Sequence, residues 1–371
     1  MNANAIREIQ DLIVSHACLQ PAGAQTKSAL SAPSHIPRLD LSGLAGLIEY
    51  QPDEFTFTAL AGTPLSEVIN TLTEHGQYLP FDPPLVEAGA TLGGTVACGL
   101  SGSGRYRFGG VRDFLLAIQF LDGQARLVRS GARVVKNSAG FDLSKLMVGS
   151  LGSLGALVEL TFKVFPRPVS TTTLQIDFPS VTEALAALTK LTLLPLDLHA
   201  LDLLPHDGYA QIYLRIGGSP ASFPPRLQRL RDLLGQGINL EAEADEAFWR
   251  SAREFHWAPT QSSLVKIPLT PHRLLTLDEF LAAQSAERRY LAGANLAWVA
   301  WPAPLEMLDQ FLVEKQLSGL VLLGPPGLIR LGVTSDERFA RRVKQALDPL
   351  GRWVEIDRQT ESGRTLEVNA Q

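Results

Sequence analysis

The N-terminal residues are predicted to form an amphipathic helix. Apolar side chains recur there at helical spacing, at Ile6, Ile9, Ile13 and Ala17. Charged residues interrupt this pattern at Arg7, Glu8 and Asp11, whereas a secretory signal peptide has an uninterrupted apolar core. We therefore expect a helix here and no signal peptide. No uncharged apolar run in the chain reaches the roughly 20 residues that a membrane-spanning helix needs.

The next apolar patterns predict a helix and a hairpin. Thr63-Pro64 places proline at the first position of a helix that ends at Gly76. Strand-like segments at 114–121 and 125–128 flank Asp122-Gly123, a dipeptide typical of tight β-hairpins. Both elements belong to the first half of the chain.

A change of pattern after residue 164 predicts a domain boundary. Apolar residues alternate with polar ones from Val158 to Val164, which indicates a strand with one buried face. Pro166-Arg167-Pro168 then ends the alternation. We predict a first domain at 1–168, a second at 169–351 and a polar, disordered tail at 352–371.

The second domain is predicted to mix strands with helices. Ser180-Val181-Thr182-Glu183 is a capping box that opens a helix. Strands are predicted at 174–178, 209–216 and 296–301. Further helical stripes are Leu227, Leu230 and Leu234; Leu274, Leu277 and Leu281; and Phe339, Val343 and Leu347.

Two glycine clusters in the first domain indicate a bulky anionic ligand. One includes Gly93, Gly94 and Gly99, and the other includes Gly152 and Gly155. Because glycine lacks Cβ and tolerates positive φ, such clusters let backbone amides face a shared concavity, where a phosphate or a flavin edge is the usual occupant. Either cluster alone is equally typical of tight turns. Two of them, separated by strand-like sequence, favour the ligand.

Composition narrows the function classes. A net charge of −5 without a Lys/Arg block gives no electrostatic case for nucleic acid. The two cysteines, Cys18 and Cys98, exclude a disulfide framework and a cysteine-only iron–sulfur cluster. The remaining composition is that of an ordinary globular enzyme.

Several motifs resemble a known family. The chain is similar to the FAD-binding subunit of bacterial glycolate oxidase (glycolate dehydrogenase), within the flavoproteins that share the vanillyl-alcohol-oxidase (PCMH-type) FAD domain. The motifs are Ala61-Gly62-Thr63-Pro64-Leu65, Gln77-Tyr78-Leu79-Pro80-Phe81-Asp82-Pro83-Pro84, Gly93-Gly94-Thr95-Val96-Ala97-Cys98-Gly99-Leu100-Ser101-Gly102, Val111-Arg112-Asp113-Phe114, Val135-Lys136-Asn137-Ser138-Ala139-Gly140-Phe141-Asp142-Leu143 and Pro166-Arg167-Pro168.

The resemblance implies an α+β fold. Two α+β subdomains would hold FAD between them, and an α+β cap domain with an antiparallel sheet would follow. Gly23-Ala24-Gln25-Thr26-Lys27 would be the pyrophosphate loop, although Ala24 stands where the family tends to have glycine. Amides, a hydroxyl and an ammonium together suit a diphosphate.

The resemblance also implies the remaining cofactor contacts. Pro80, Gly93, Gly94 and Thr95 would line the flavin, and Gly152, Gly155 and Val158 would lie along the adenine or ribityl end. The other residues expected near FAD are Cys98, Gly99, Ser101 and Gly102. Because no histidine or cysteine occupies the usual linking position, FAD is expected to bind non-covalently.

The second domain lacks a recognisable set of catalytic residues, and this absence bears on the predicted function. Family members that oxidise D-2-hydroxy acids tend to carry paired histidines, a glutamate and a substrate-binding arginine in the cap. Here the cap histidines are scattered, at His199, His206, His256 and His272. Oxidation of a hydroxy acid needs a base and a cation near the flavin, and the sequence shows neither.

The resemblance therefore implies a subunit of a glycolate dehydrogenase complex that converts glycolate to glyoxylate. A larger FAD-containing subunit would oxidise the substrate, and an iron–sulfur subunit would accept electrons. The location would be cytoplasmic, or at the inner membrane through these partners. Two alternatives stay open: a free-standing FAD-linked oxidoreductase of another hydroxy acid or alcohol, and an assembly subunit that has lost flavin.

Other candidate groups favour structural roles. Asp142 and Lys145 are typical of a surface pair, and His256 of a packed or exposed histidine. The metal-like trio of Asp202, His206 and Asp207 lacks a second supporting cluster. Partner docking is expected at exposed apolar residues, with these candidates: Phe223, Trp249, Trp257 and Trp301.

Overall fold

The structure is a computed structural model of the chain. It describes residues 3–31, 35–131, 142–235, 237–325, 328–333 and 337–355. Within these ranges, no helix is both long enough and apolar enough to cross a membrane. Residues 135–141 of the motif that begins at Val135 lie outside the described residues.

The first half is built on a five-stranded antiparallel sheet with strand order β3-β4-β8-β6-β7. A short parallel pair, β1 and β2, lies before it in the chain, and β5 pairs antiparallel with β9. The elements are α1 Ala3–Ser15, β1 Gln20–Ala22, β2 Arg38–Asp40, β3 Leu47–Gln51, β4 Thr56–Leu60, α2 Leu65–Glu74, β5 Gln77–Tyr78, α3 Leu92–Cys98, α4 Arg105–Phe108, α5 Val111–Phe114, β6 Leu115–Leu121, β7 Leu127–Gly131, α6 Leu143–Met147, β8 Ala156–Lys163 and β9 Phe165–Pro166.

The second half is built on a nine-stranded sheet with strand order β13-β10-β12-β11-β15-β16-β14-β17-β18. Every described strand pair in it is antiparallel. The elements are β10 Ser170–Phe178, α7 Val181–Thr192, β11 Ala200–His206, β12 Tyr209–Gly218, α8 Phe223–Leu234, β13 Ile238–Asn239, α9 Ala242–Glu254, β14 Ser263–Pro268, α10 Leu274–Ala283, β15 Glu287–Leu291, β16 Leu296–Trp301, α11 Leu305–Glu314, β17 Ser318–Leu323, β18 Arg330–Gly332 and α12 Glu337–Leu347. The predicted α+β class and antiparallel second sheet are confirmed.

Both faces of the nine-stranded sheet are covered. On one face, Leu201, Leu203 and Leu214 join a buried core with helices α7, α8, α10 and α11. On the other, Leu264 and Trp298 share a core with residues of the first half. Because side chains alternate along a strand, Asp202 lies on this second face, between Leu201 and Leu203. We call the boundary between the second face and the first half the seam.

Several predicted elements are confirmed. Ser180 caps α7, with its Oγ accepting from the Glu183 amide at 3.2 Å. β6 and β7 form the predicted hairpin, but their loop runs from residue 122 to 126 because Asp122 folds back on the amides of Gln124 and Arg126. All strands of the five-stranded sheet precede Pro166, and β10 begins at Ser170, so we propose the domain boundary there.

Two expectations are wrong. The tail predicted to be disordered from residue 352 begins with a packed segment, because Trp353 is 1% exposed and pairs with Leu19 in a parallel bridge. Residues 356–371 lie outside the described chain. The apolar docking candidates also fail: Phe223, Trp249 and Trp301 are buried in cores of the second half, and Trp257 is half-buried.

Candidate functional site

A pocket of about 850 Å³, including its open mouth, lies in the first half. Its size is typical of cofactor sites, which measure roughly 300–1,000 Å³. One wall is β1 and the loop that follows it, and the opposite wall is α3 together with the turn at 151–155. The lining includes Gly23, Ala24, Gln25, Thr26, Lys27, Gly93, Gly94, Cys98, Gly152 and Gly155, all predicted from the sequence.

Lys27 supplies a cation to this pocket. The residue is 8% exposed, and its Nζ donates to Thr26 Oγ1 at 3.0 Å. Lys27 makes no ion pair with any residue that the structure describes. An anionic ligand in the pocket would supply the counter-ion that this ammonium lacks. This arrangement fits a diphosphate.

In the pocket walls, glycine is required mainly because neighbouring atoms lie too close to leave room for a Cβ. A positive φ is not the reason at every position. A Cβ on Gly23 would overlap Thr91 Oγ1, the side chain that caps α3. On Gly93 it would lie 2.8 Å from the Cβ and carbonyl oxygen of Ala61. Only Gly152 among these three has a positive φ, of +79°.

The loop predicted to bind the pyrophosphate, residues 23–27, adopts its backbone conformation without glycine at position 24. Within the loop, positive φ occurs at Gln25, with φ 55°, and not at Ala24. Ala24 therefore has an ordinary backbone conformation, and replacing the family's glycine with alanine introduces no backbone strain there.

The amides of α3 serve the fold instead of a ligand. The Gly93 amide donates to the Ala61 carbonyl oxygen at 2.7 Å, and the Gly94 amide donates to Thr91 Oγ1 at 3.2 Å. The two glycines therefore let the opposite wall and a ligand come close, while the hydrogen-bond donors for an anion come from the side of Lys27.

Six predicted contact residues lie outside the pocket lining: Pro80, Thr95, Gly99, Ser101, Gly102 and Val158. Ser101 Oγ instead accepts from the Val111 amide at 2.9 Å, and the Gly102 amide donates to the carbonyl oxygens of Phe81 and Asp82. Val158 is fully buried within a core. Pro21, Ala61 and Thr91, which were not predicted, do line the pocket; Thr91 follows a helix-cap pattern that could have identified it.

Two lysines act on the thiol of Cys98, which lines the pocket. Burial raises the pKa of the Cys98 thiol, while the charges of Lys27 and Lys266 lower it less strongly. Lys266, on β14 of the second half, donates from Nζ to the Gly99 carbonyl oxygen at 3.1 Å. Burial and the charge of Arg105 lower the pKa of Lys266 to about 8. The second half thus contributes a lysine beside the pocket.

The C-terminal segment clamps both walls of the pocket. Lys344 Nζ donates to the carbonyl oxygens of Ser153 and Trp353 and to Asp348 Oδ2, each at 2.6 Å. Trp353 pairs with Leu19, the residue before β1. The C-terminal strap, residues 344–354, therefore fixes one wall at residue 153 and the other at β1.

The remaining candidate groups have structural roles. Asp142 caps α6, and Lys145 Nζ donates to backbone carbonyls of residues 112 and 115. The His256 side chain is 57% exposed and lies 3.9 Å from Glu87. Within the described ranges, no group of His, Cys, Asp or Glu side chains could hold a metal ion.

Comparisons with known proteins place these features in a family. Residues 4–131 match the FAD binding domain family. The glycolate oxidase subunit GlcE of Escherichia coli is 31% identical over 93% of this chain and 94% of its own length. The D-lactate dehydrogenase of Anaerostipes hadrus is 31% identical, but over only 45% of this chain and 35% of its own length. The glycolate oxidase subunit GlcD of Bacillus subtilis is 27% identical over 45% of this chain and 37% of its own.

A solved structure supports the fold. That of alkyldihydroxyacetonephosphate synthase superposes with a TM-score of 0.70, covering 93% of this chain and 74% of its own, at 14% identity.

Proposed function

Because the chain belongs to the family of the glycolate oxidase subunit GlcE, we propose that it is the FAD-binding subunit of a multi-subunit complex that oxidises glycolate to glyoxylate. The predicted family and cofactor are confirmed, and the chain is an FAD-dependent oxidoreductase subunit. The observation that carries the proposal is Lys27, which makes no ion pair with a described residue and lies in a pocket walled by glycines.

The residues of the pocket divide the binding of FAD between them. Thr26, Lys27 and the loop amides would hold the diphosphate, and the glycines at 93 and 152 would let the cofactor approach the walls. Bound FAD accepts electrons in pairs and passes them on. Cys98 is half-buried and the pKa of its thiol is raised, so its neutral form is favoured, which supports non-covalent binding.

Substrate oxidation is proposed to occur in a larger FAD-containing partner subunit, with electrons passed to an iron–sulfur subunit. The cap histidines support this division. His199 stacks edge-on against Phe108, and burial lowers its pKa to about 4, whereas His206 and His256 lie on the surface. These side chains do not form a histidine pair that could serve as a base.

Extraction of flavin tests the cofactor assignment. Acid precipitation of the purified chain should release all of its flavin into the supernatant, as FAD. Lys27→Met should weaken FAD binding by about 10- to 100-fold, the usual value of a hydrogen bond to a charged group. Lys190→Met, at an exposed position of α7, is the matched control and should bind FAD normally. Flavin retained in the pellet, FMN alone in the supernatant, or full occupancy of the Lys27 variant would contradict the assignment.

A free-standing oxidoreductase is the alternative function. It predicts that the isolated chain turns over a hydroxy acid without partners, and an assembly subunit without flavin predicts a colourless protein. The visible absorbance spectrum of the purified chain separates the flavin-free assembly subunit from the two flavin-containing alternatives.

A further inference from the structure

A second cavity, which we call the groove, lies where α4 meets the loop that joins α7 to β11. It measures about 960 Å³, including its open mouth. One wall is α4 of the first half, and the other is formed by residues 192–198 and the β15–β16 turn of the second half. None of the described residues that line the groove also lines the FAD pocket. The proposed cofactor therefore does not account for the groove.

The lining of the groove carries more positive than negative charge. Among the described residues that form it, Arg105 and Arg107 are basic and Asp197 is the only acidic residue. Asp197 already forms ion pairs with Arg107 and, at 3.6 Å, with Arg226. The side chain of Arg105 makes no hydrogen bond or ion pair within the described chain. Arg105 is therefore the cation that a ligand in the groove would neutralise.

The surroundings of Arg105 add another cation. Burial and the charge of Arg105 lower the pKa of Lys266 to about 8, so the two cations are neighbours. Lys266 donates to the Gly99 carbonyl oxygen and makes no ion pair with a described residue. The whole chain carries a net charge of −5, so the positive groove differs in sign from the rest of the molecule. Such a patch attracts an acidic ligand.

The rim of the groove is apolar. Leu194 lines the groove and is 37% exposed, and Leu193, the residue before it, is 81% exposed. A single exposed leucine needs no explanation, but adjacent leucines beside an unpaired arginine resemble a protein interface, where arginine is enriched. A small anion would use Arg105 and leave both leucines in water. A polypeptide segment can contact all three, so the groove suits a protein partner.

We propose that the groove is a docking site for an acidic segment of the larger flavoprotein subunit. Carboxylates of this segment pair with Arg105, and an adjacent apolar side chain packs on Leu193 and Leu194. The inference rests on the proposed function, which supplies the partner but not the surface. Charged pairs at the rim of an interface mainly speed association, whereas buried anchor residues provide most of the affinity.

Binding of the purified, flavin-containing chain to this partner tests the docking site. The probe is the chain of the same organism that resembles the glycolate oxidase subunit GlcD, and biolayer interferometry measures its association and dissociation rates. Association should slow as the salt concentration rises, because salt screens the charges at the rim. Failure of the parent chain to bind would contradict the proposed function together with the docking site. An association rate that does not depend on salt would contradict the acidic segment alone.

Variants locate the surface. Arg105→Glu should slow association by about 10-fold, and Leu193→Asp should weaken the affinity by about 10- to 100-fold. Because both residues are exposed, each variant should fold and keep its flavin, which circular dichroism and absorbance check. The matched controls Arg129→Glu and Leu233→Asp, at exposed positions of β7 and α8, should bind like the parent. Parent-like binding of either groove variant overturns the docking site, and the proposed function stands as long as the parent binds.

Discussion

At the scale of single residues, the short distance between the pocket walls determines which side chains fit at position 23. Gly23 has no positive φ; its role follows from Thr91 Oγ1, which occupies the space of a Cβ. The family resemblance predicted this glycine correctly as a pocket residue, but it did not give the physical reason. A contact between residues 23 and 91 depends on how two distant segments pack, and no local pattern records that.

Gly23→Val should abolish or strongly reduce FAD binding while the second half stays folded. The added side chain collides with Thr91 and moves the loop that carries Lys27 away from the opposite wall. Flavin occupancy by absorbance and folding by circular dichroism measure the two effects. Gly43→Val is the matched control, because no atom lies within 4 Å of a Cβ there; unchanged occupancy in Gly23→Val would remove this loop from the site.

The buried carboxyl of Asp202 should make stability depend on pH. Burial raises its pKa from 3.8 to about 7, while Ser103 and Arg289 oppose the shift. Between these two values the folded state binds more protons than the unfolded state, so the free energy of unfolding falls as pH rises through this window. The loss is complete above about pH 7 and amounts to a few kcal/mol at most.

Asp202→Asn, which cannot ionise, should be spared that loss. Relative to the parent, its melting temperature should rise by several degrees between about pH 5 and about pH 8. Melting curves of both proteins across this range measure the difference in melting temperature. The contributions of other titrating groups, such as Asp82, are common to both proteins and largely cancel. A difference that stays constant with pH would show that Asp202 ionises normally in the folded chain.

At the scale of elements, the sequence was sufficient to predict those helices and turns that a few adjacent residues determine. The capping box at Ser180, the proline-initiated helix α2 and the β6–β7 hairpin all follow from a few adjacent residues. The contact between Ser103 and Asp202 was not predictable in this way. It joins the first half to strand β11 of the second half, and only the packing of the two halves brings these residues together.

The C-terminal strap is an element whose role the sequence concealed. Residues 352–354 were expected to begin a disordered tail, yet Asp348 accepts from the Trp353 amide at 2.8 Å and from Lys344 at 2.6 Å. One buried carboxylate thus organises the whole turn. We expect the strap to support the pocket walls through Leu19 and Ser153.

Trp353→Ala should lower the free energy of unfolding by about 3–5 kcal/mol, the usual cost of removing a buried tryptophan. It should also weaken FAD binding, because β1 loses its partner at Leu19. Chemical denaturation and FAD titration measure the two changes. Leu350→Ala, in the same strap but 58% exposed, should alter neither. Full FAD affinity in a destabilised Trp353 variant would separate the strap from the pocket.

At the scale of the whole molecule, two sheets meet at the seam and divide the chemistry. The first half holds the proposed FAD pocket, and the second contributes Lys266 beside it. The histidines of the cap form no pair and do not line the pocket. They therefore provide no base at the pocket.

Glycolate should accordingly not reduce the flavin of the isolated chain. General acid–base catalysis contributes about 10²–10⁴-fold to such a reaction, and positioning against the flavin contributes more; a chain without both should react too slowly to matter. Anaerobic mixing with glycolate, followed through bleaching of the flavin absorbance, measures the reaction. Bleaching should begin only when the proposed partner subunits, a larger flavoprotein and an iron–sulfur protein, are added. Rapid bleaching of the chain alone would make it an oxidoreductase in its own right.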